Sequence, residues 1–472
     1  MFKWIITLFA ANGLWSSINQ TDEVSPIYPP DSLPYKVSIE LADFQLPTDS
    51  TRAVGLQSFA WAIYKNKWIL LAGRTNGLHG FDAGDDNFPP KKQNTDVFVV
   101  DLDKKTVVTR SLLDPSSGLS VTQIDSLSTT SGLFFQIDRT FYFVGGYGVE
   151  TQTGQFSTKS TLTAVDMPGL ISWVEGGSPS AIKHIRQISH PLMQVTGGFL
   201  TQASPHQPYL IILGQNFQGY YHTTSNGDYT QQIRPFQIID NGRDLYVRPL
   251  AQFAPDANYR RRDLPVFPII QKKGKSLEPG FVALSGVFTT EGGIWNVPIV
   301  INADGSSSMA NPANPNTFKQ GMNNYDCARI GLYSKKTNDM FLLLFGGLSF
   351  LEVSGGVIVE NPEIPFINSV TTVKIDSAGN FSQYLMEGEY PTLISNFTNP
   401  GNPLLFGAEA RFIPVPNLPY FTNGVFSFDE LGSSPVLLGY IVGGIQSTVP
   451  NTATMADSSS SPYIFSVFIE RR

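Results

Sequence analysis

The sequence predicts an all-β protein, and three observations carry that prediction. Runs rich in Val, Ile, Phe, Tyr and Thr recur between clusters of Gly, Asn, Asp and Pro, whereas long amphipathic helical stretches are hard to find. The 42 glycines and 33 prolines among 472 residues argue for many short elements joined by turns, and 41% hydrophobic against 15% charged residues supplies a large core. A strand-like run that ends abruptly in glycine is repeated: FYFVGG at 141–146, FLLLFGG at 341–347 and GYIVGG at 439–444, with weaker copies in WILLAG at 68–73, LIILG at 210–214 and FVALSG at 281–286.

From the N-terminus, residues 1–18 carry one basic residue, Lys3, then an apolar stretch from Trp4 to Ala11 and small residues, the pattern of a secretory signal peptide and too short to span a bilayer. A polar, Pro-rich leader follows over 19–34. The expected location is therefore secreted, periplasmic or on the cell surface. Cys327 is the single cysteine, so internal disulfides are excluded, as is a lipid anchor on a cysteine beside the cleavage region. Tyr35–Leu41 alternates apolar and polar as a half-buried strand should.

Each glycine-ended run is then the second strand of a hairpin. Its partner and turn are Gln57–Tyr64 with Lys65–Lys67, Ser131–Ile137 with Asp138–Arg139, and Tyr325–Tyr333 with Ser334–Asp339. A third strand closes on an aspartate in DVFVVD (96–101), LTAVD (162–166), FQIID (236–240) and TTVKID (371–376), with VPIVINADG (297–305) as a degenerate copy. These aspartates suit tight reversals, and Asp166-Met167-Pro168-Gly169 suits the start of a short helix with Pro in its first turn.

Three strands and a fourth after the turn, six times over, predict blades arranged radially in a six-bladed β-propeller, a single domain over 35–472. The blades are expected at 52–113, 127–190, 191–253, 258–322, 324–388 and 405–472. Each glycine marks a sharp exit from a sheet where backbones pass closely. The last blade offers only Ala408–Val415, Val436–Gly444 and Tyr463–Glu470, so residues 35–46 are expected to supply its outer strand, close the ring and cover an otherwise open edge.

The runs ending in Gly-Gly and the later strands ending in Asp resemble the kelch repeat family of β-propellers from about residue 35 to the C-terminus. The glycines at 73, 145, 214, 286, 346 and 443 recur at longer intervals than the roughly 50 residues of a kelch unit, so most blades carry insertions. GGYG, LTAVDMPGLI, YRRRD and LSGVF are similar to a group of exported bacterial kelch-like proteins; the resemblance implies fold and export, and no activity.

Loops between second and third strands open on one face. The long insertions Arg74–Gln93, Tyr147–Lys159, Gln215–Gln232, Leu348–Phe366 and Ile445–Ser460 are of that type and should crowd it. The inner strands begin there, beside the axis, with Arg260, Arg261, Arg262 and Asp263 in blade four, Asp326 and Arg329 in blade five, and Glu409 and Arg411 in blade six. Such charges must be paired, either as an ion-pair network between blades or as a ligand-contacting cluster. Tyr220, Tyr221 and His222 in one insertion and His79 in another could stack on sugars, grip protein side chains or pack the loops themselves.

The segment at 82–86, DAGDD, has carboxylates enough for Ca²⁺ but lacks the spacing of a calcium loop. The five histidines show no metal spacing, and neither a Gly-x-Ser-x-Gly elbow nor a phosphate-cradling loop is present, so no cofactor or metal is expected. A net charge of −7 without a basic stripe argues against nucleic acid. The reading that emerges is a noncatalytic exported propeller binding a protein or glycan through its insertion-bearing face. The alternative is a carbohydrate-active hydrolase, lyase or epimerase using Glu409, Asp326 and Arg261. Carboxylates converging in a solvent-filled pocket favour the second reading, and carboxylates each engaged by an arginine favour the first.

Overall fold

The computed structural model describes residues 24–46, 55–81, 84, 86–222, 227–396, 398–452 and 454–472. The expected signal peptide and Asp82, Ala83 and Asp85 of the acidic segment lie outside the described residues.

The fold is all-β, with six sheets of four or more strands among the described residues, each an open sheet. The first contains Ala60–Tyr64, Lys67–Leu71, Asp96–Asp101 and Thr106–Ser111, and the second Leu133–Ile137, Thr140–Val144, Thr161–Asp166 and Ile185–Ser189. The third contains Phe199–Gln202, Tyr209–Ile212, Ile233–Asp240 and Leu245–Pro249, and the fourth Val266–Lys273, Ser276–Ala283, Ile299–Asn302 and Ser307–Met309. In the fifth, Ala328–Ser334, Asp339–Leu348, Phe366–Ile375 and Phe381–Glu389 are flanked by two short parallel additions, Phe426–Ser427 and Ile27–Tyr28. The sixth joins segments far apart in sequence: Arg411–Pro414, Val436–Val442 and Ile464–Arg471 are followed by Tyr35–Leu41, which pairs antiparallel with the C-terminal strand from Tyr35↔Arg471 to Leu41↔Phe465.

The second strands read as unbroken apolar runs because both their faces are covered. In Asp339–Leu348, Phe341, Leu343 and Phe345 enter an apolar layer shared with Tyr35, Phe412 and Phe465 of the sixth sheet. Met340, Leu342 and Leu344 enter a different layer, with Phe267, Ile269 and Val282 of the fourth. Equivalent layers lie between sheets one and two, two and three, three and four, and six and one. Every sheet is thus covered on both faces by its neighbours, and the sixth touches both the fifth and the first.

The glycine exits add stitches to these layers. Backbone N–H groups donate across to the segment entering the next sheet from Gly73 to Thr129 (2.8 Å), Gly146 to Val195 (2.9 Å), Gly214 to Arg261 (3.0 Å), Gly286 to Asn324 (3.2 Å) and Gly444 to Leu56 (2.7 Å). At Gly146 the backbone is left-handed, φ 81°, and a Cβ there would stand 2.2 Å from Thr129 Oγ1. Only glycine meets both demands.

Four of the five insertions carry short paired strands: Tyr147–Glu150 with Gln155–Thr158, Gln215–Asn216 with Asp228–Tyr229, Leu351–Ser354 with Val357–Glu360, and Ile445–Ser447 between Leu405–Ala408 and Ser458–Ser460; in the remaining one, Arg74 and Gln93 form an isolated bridge. The fourth repeat has a strand pair too, Gly286–Val287 with Ile294–Trp295. The five long insertions named from the sequence all join second and third strands, but one further long segment does not. The chain between Pro414 and Val436 joins the first and second strands of the sixth sheet, at the end opposite the hairpins. It is drawn inward because Phe426 and Phe428 bury in the layer between sheets five and six, while Phe426 and Ser427 pair with Leu332 and Tyr333. Among the described residues no helix is long and apolar enough to cross a membrane.

Candidate functional site

One residue at the entry to each inner strand forms a closed ring of backbone hydrogen bonds. Ser131 N–H donates to Ser58 (3.2 Å), Gly197 to Ser131 (2.9 Å), Asp263 to Gly197 (2.7 Å), Asp326 to Asp263 (3.1 Å), Glu409 to Asp326 (2.9 Å) and Ser58 back to Glu409 (3.3 Å). Five of the six, all but Asp326, have φ between 47° and 65°, which turns their amides along the ring rather than into the strands. A cavity lies on each side of the ring.

The larger, about 360 Å³, runs along the inner strands away from the insertion hairpins. Trp61, Phe134, Phe199 and Phe412 supply aromatic wall; Asp326, Arg329 and Arg411 lie at the ring end, and Asn423, Gly424 and Phe426 of the inward-drawn segment also line it. The smaller, about 90 Å³, lies beneath the hairpins and is lined by residues including Arg74, His79, Tyr147, Gln215, Tyr221, Arg262, Tyr325 and Glu409.

Charges at the ring are paired unequally. Asp326 is held from both sides, by Arg411 Nη1 at 2.7 Å from Oδ2 and by Arg329 Nη1 on Oδ1. Burial opposes ionisation of Asp326, and Arg411 and Arg329 outweigh it, so the carboxyl lies below the usual aspartate range. Arg329 Nε is anchored on the Val266 carbonyl at 2.8 Å and Arg411 Nε on that of Phe59 at 3.1 Å, which fixes both forks. Asp263 has Arg262 Nε at 3.2 Å, yet burial raises its pKa, with Asp326 adding to the rise. Glu409 reaches only one Arg411 nitrogen, at 3.5 Å; burial first, then the Asp326 charge, push it up to about 8. Burial and the neighbouring charges thus drive the two carboxyls apart, Glu409 toward its neutral form and Asp326 toward its ionised form.

The structure brings Arg262, Asp263, Asp326, Arg329, Glu409 and Arg411 together at the ring. It takes Arg261 out of that group: Arg261 is 0% exposed, lies over the Trp295 ring at 4.8 Å and lines neither cavity. Its candidacy as a catalytic group is corrected accordingly. Arg260 stacks on Tyr229 at 4.0 Å and donates to the Phe288 and Thr289 carbonyls, also outside both cavities.

The insertion aromatics largely pack the hairpins against each other. His79 sits 4.8 Å from Phe81 and Phe88 and 4.9 Å from Tyr221, and burial pushes its pKa down to about 4. Tyr220 donates to Asp86 at 3.1 Å and packs on Phe156 at 5.0 Å. His222 is half-buried beside them and lines neither cavity. Among the described residues no group of three or more His, Cys, Asp and Glu is placed to hold a metal ion.

No family model and no curated protein matches this chain. Among solved structures it is similar to one titled "Structure of YjhT", at 11% identity and a TM-score of 0.45, over 87% of this chain and 94% of that chain.

Sequence reasoning missed Trp61, Phe134 and Phe412, each three residues past its ring residue, and Arg329 holds the same offset from Asp326. That recurrence was the available signal. It becomes readable only once the ring residues are known. Chemically, the larger cavity joins apolar aromatic surface to a fixed set of hydrogen-bonding groups.

Proposed function

We propose that the chain is a six-bladed, kelch-like β-propeller that binds its ligand noncatalytically in the axial channel, at the end away from the insertions, and that the ligand is a sugar unit of a glycan. Six sheets, six apolar layers between them and a six-membered ring of backbone hydrogen bonds support the architecture. The observation that carries the function is Asp326, engaged by two arginines that are themselves tied to backbone carbonyls. Such a carboxylate is poorly placed to exchange protons and well placed to present a rigid polar floor. A volume of about 360 Å³ lies within the range of small-molecule pockets. Aromatic faces with hydrogen-bonding groups at one end suit a pyranose ring, which has an apolar face and a hydroxylated rim.

Compared with the insertion-bearing face, the channel is favoured because the aromatics of that face are engaged with one another. The carbohydrate-active alternative would take Glu409 as its acid, but Glu409 lines the smaller cavity and not the channel. Among the described residues at the ring that alternative lacks a second carboxylate free to act with Glu409, since Asp326 and Asp263 each face an arginine. We further propose export, from the N-terminal pattern; intact mass of exported material should show loss of roughly the first 15–20 residues, and retention of Met1 would count against it.

The test is glycan-array binding followed by calorimetry on the best glycan, with Trp61→Ala and Arg329→Gln. Both changes should weaken binding by tenfold or more, with no turnover of the glycan. Unchanged affinity in both, together with loss of binding on changes in the insertion hairpins, would return the site to that face.

A further inference from the structure

Arg74, Arg234 and Arg261 are at most 8% exposed, and among the described residues none has a carboxylate within ion-pair distance. A buried cation without a counter-charge is among the least favourable arrangements in a protein interior. Arg261 has carbonyls and the Trp295 ring around it, and neither Arg261 nor Arg234 lines either cavity. Arg74 differs: it is 2% exposed and lines the smaller cavity. Its Nε donates to Asn76 Oδ1 at 2.9 Å and its Nη2 to the Pro89 carbonyl at 3.0 Å, with the Phe88 ring 4.9 Å away; Nη1 has no hydrogen-bond partner among the described residues.

We propose that this cavity is a binding site for a compact monoanion, of the size of a halide, nitrate or formate, held between Arg74 and Arg262. The charges lining the space leave room for one negative charge. Arg262 is balanced by Asp263, and Glu409 faces Arg411, so among the described residues lining the cavity Arg74 is the cation with no carboxylate in contact; Asp86, which acts on it at longer range, lies outside the lining. A second, independent observation points the same way. Gln215 lines the cavity at 3% exposure, its amide oxygen has no hydrogen-bond partner among the described residues, and a side-chain amide can turn its NH₂ toward an anion. The volume, about 90 Å³, is a quarter of the about 360 Å³ of the larger cavity, which favours a small anion over a sugar. Tyr147, Phe217 and Tyr221 complete the wall, and aromatic edges carry partial positive charge.

The experiment uses the full chain and bromide as the probe, with nitrate and formate as further compact anions and gluconate as a bulky one at matched ionic strength. Thermal unfolding should show a saturable rise in Tm with the compact anions that gluconate does not give, because an anion that binds only the folded state stabilises it by mass action. Arg74→Gln should abolish that anion-specific rise. Crystals grown in sodium bromide should show an anomalous peak beside Arg74 and Arg262. Equal responses to bromide and gluconate, or an undiminished bromide response in Arg74→Gln, would overturn the site. If Arg74→Gln fails to fold, the anomalous map of the unaltered protein decides: a cavity without a bromide peak overturns the proposal.

Discussion

Glu409 enters the ring with φ 58° and a side chain in a residue only 5% exposed, so its carboxyl loses hydration and gains one long contact with Arg411 in return. With a folded pKa near 8 against a reference of 4.5, the native state holds a proton that the unfolded chain has already released between those values. The contribution to stability is therefore complete below about pH 4.5 and is lost as pH rises through 8, with a slope of at most about 1.4 kcal/mol per pH unit. Glu409→Gln, which cannot ionise, should become progressively more stable relative to the parent from pH 5 to 8, as read from paired melting curves; a constant difference would show that Glu409 is ionised throughout. Asp326 works in the opposite sense, since its lowered pKa gives stability that is present above the usual aspartate range and lost in acid. Backbone demands are equally local. Gly146 and Gly356 both have φ near 80°, but a Cβ at Gly146 meets Thr129 at 2.2 Å while one at Gly356 meets nothing within 4 Å. Gly356→Val should cost about 1–2 kcal/mol for the conformation alone, and Gly146→Val clearly more, measured by urea unfolding. Equal costs would mean that the exit can relax around a side chain. At this scale the sequence was only partly legible. Arg260, Arg261 and Arg262 are consecutive, yet a turn at Ala257–Tyr259 sends them to a tyrosine face, a dry tryptophan contact and the ring respectively. Nothing in three identical neighbours distinguishes those destinations.

Strands and their closing turns were more readable, because their signals are repeated and local. Each third-strand aspartate holds a reversal: Asp101 accepts from Lys104 N–H at 3.1 Å, Asp240 from Gly242 at 2.9 Å, and Asp376 from Ala378 and Asn380, both at 2.9 Å. Asp166 instead caps the helix Met167–Val174, accepting from Gly169 N–H at 3.2 Å with Pro168 in the first turn. That helix places Met167, Leu170, Trp173 and Val174 in the layer between sheets one and two, so a cap at its start positions an apolar face. Asp166→Ala should lower stability by about 0.5–2 kcal/mol in chemical denaturation, and Asp166→Asn by much less, since an amide oxygen caps nearly as well. Equal losses for the two would assign the effect to the Arg139 ion pair rather than the cap. The segment between Pro414 and Val436 was illegible for the converse reason. Tyr420, Phe421, Val425, Phe426 and Phe428 follow neither a strand nor a helix period, and only two of its residues pair with the strand beside them. Its position along the channel is set by distant apolar partners, which no local pattern encodes.

Residues 35–41 and the C-terminal strand meet in one sheet, and the contacts of the N-terminal segment reach further than a single strand. Tyr35, Val37 and Ile39 are 0%, 6% and 7% exposed and enter the layer facing sheet five; Leu41, on the same side by alternation, is 44% exposed and contributes little. Tyr35 packs on Phe341 at 5.4 Å and Phe428 at 5.7 Å, and its hydroxyl bonds Thr372 at 3.0 Å. Just beyond the strand, Ala42 N–H donates to the Ile464 carbonyl at 2.9 Å, and Phe44 turns to the opposite layer, 6.0 Å from Trp68 of the first sheet and 5.6 Å from Tyr440. Residues 35–46 thus seal the sixth sheet on both faces. The alternation at 35–41 made the first half of this readable in the sequence. The second half was not, because Phe44 and Leu46 find their partners across a layer boundary. Burial of Tyr35, Val37, Ile39, Phe44 and Leu46 is worth roughly 1.5–3 kcal/mol each, a total comparable with the net stability of a whole domain. A chain beginning at residue 47 should therefore melt far lower than one beginning at 24, or aggregate through the bared Ile464–Arg471 edge. A peptide of residues 33–46 added in trans should recover part of the difference, and Tyr35→Ala in the longer chain should reproduce part of the loss, about 3–5 kcal/mol. Superimposable melting curves for the two chains would mean that sheets five, six and one hold together without the N-terminal strand, and that the hydrogen-bonded ring, with its Glu409–Ser58 link, suffices to close the molecule.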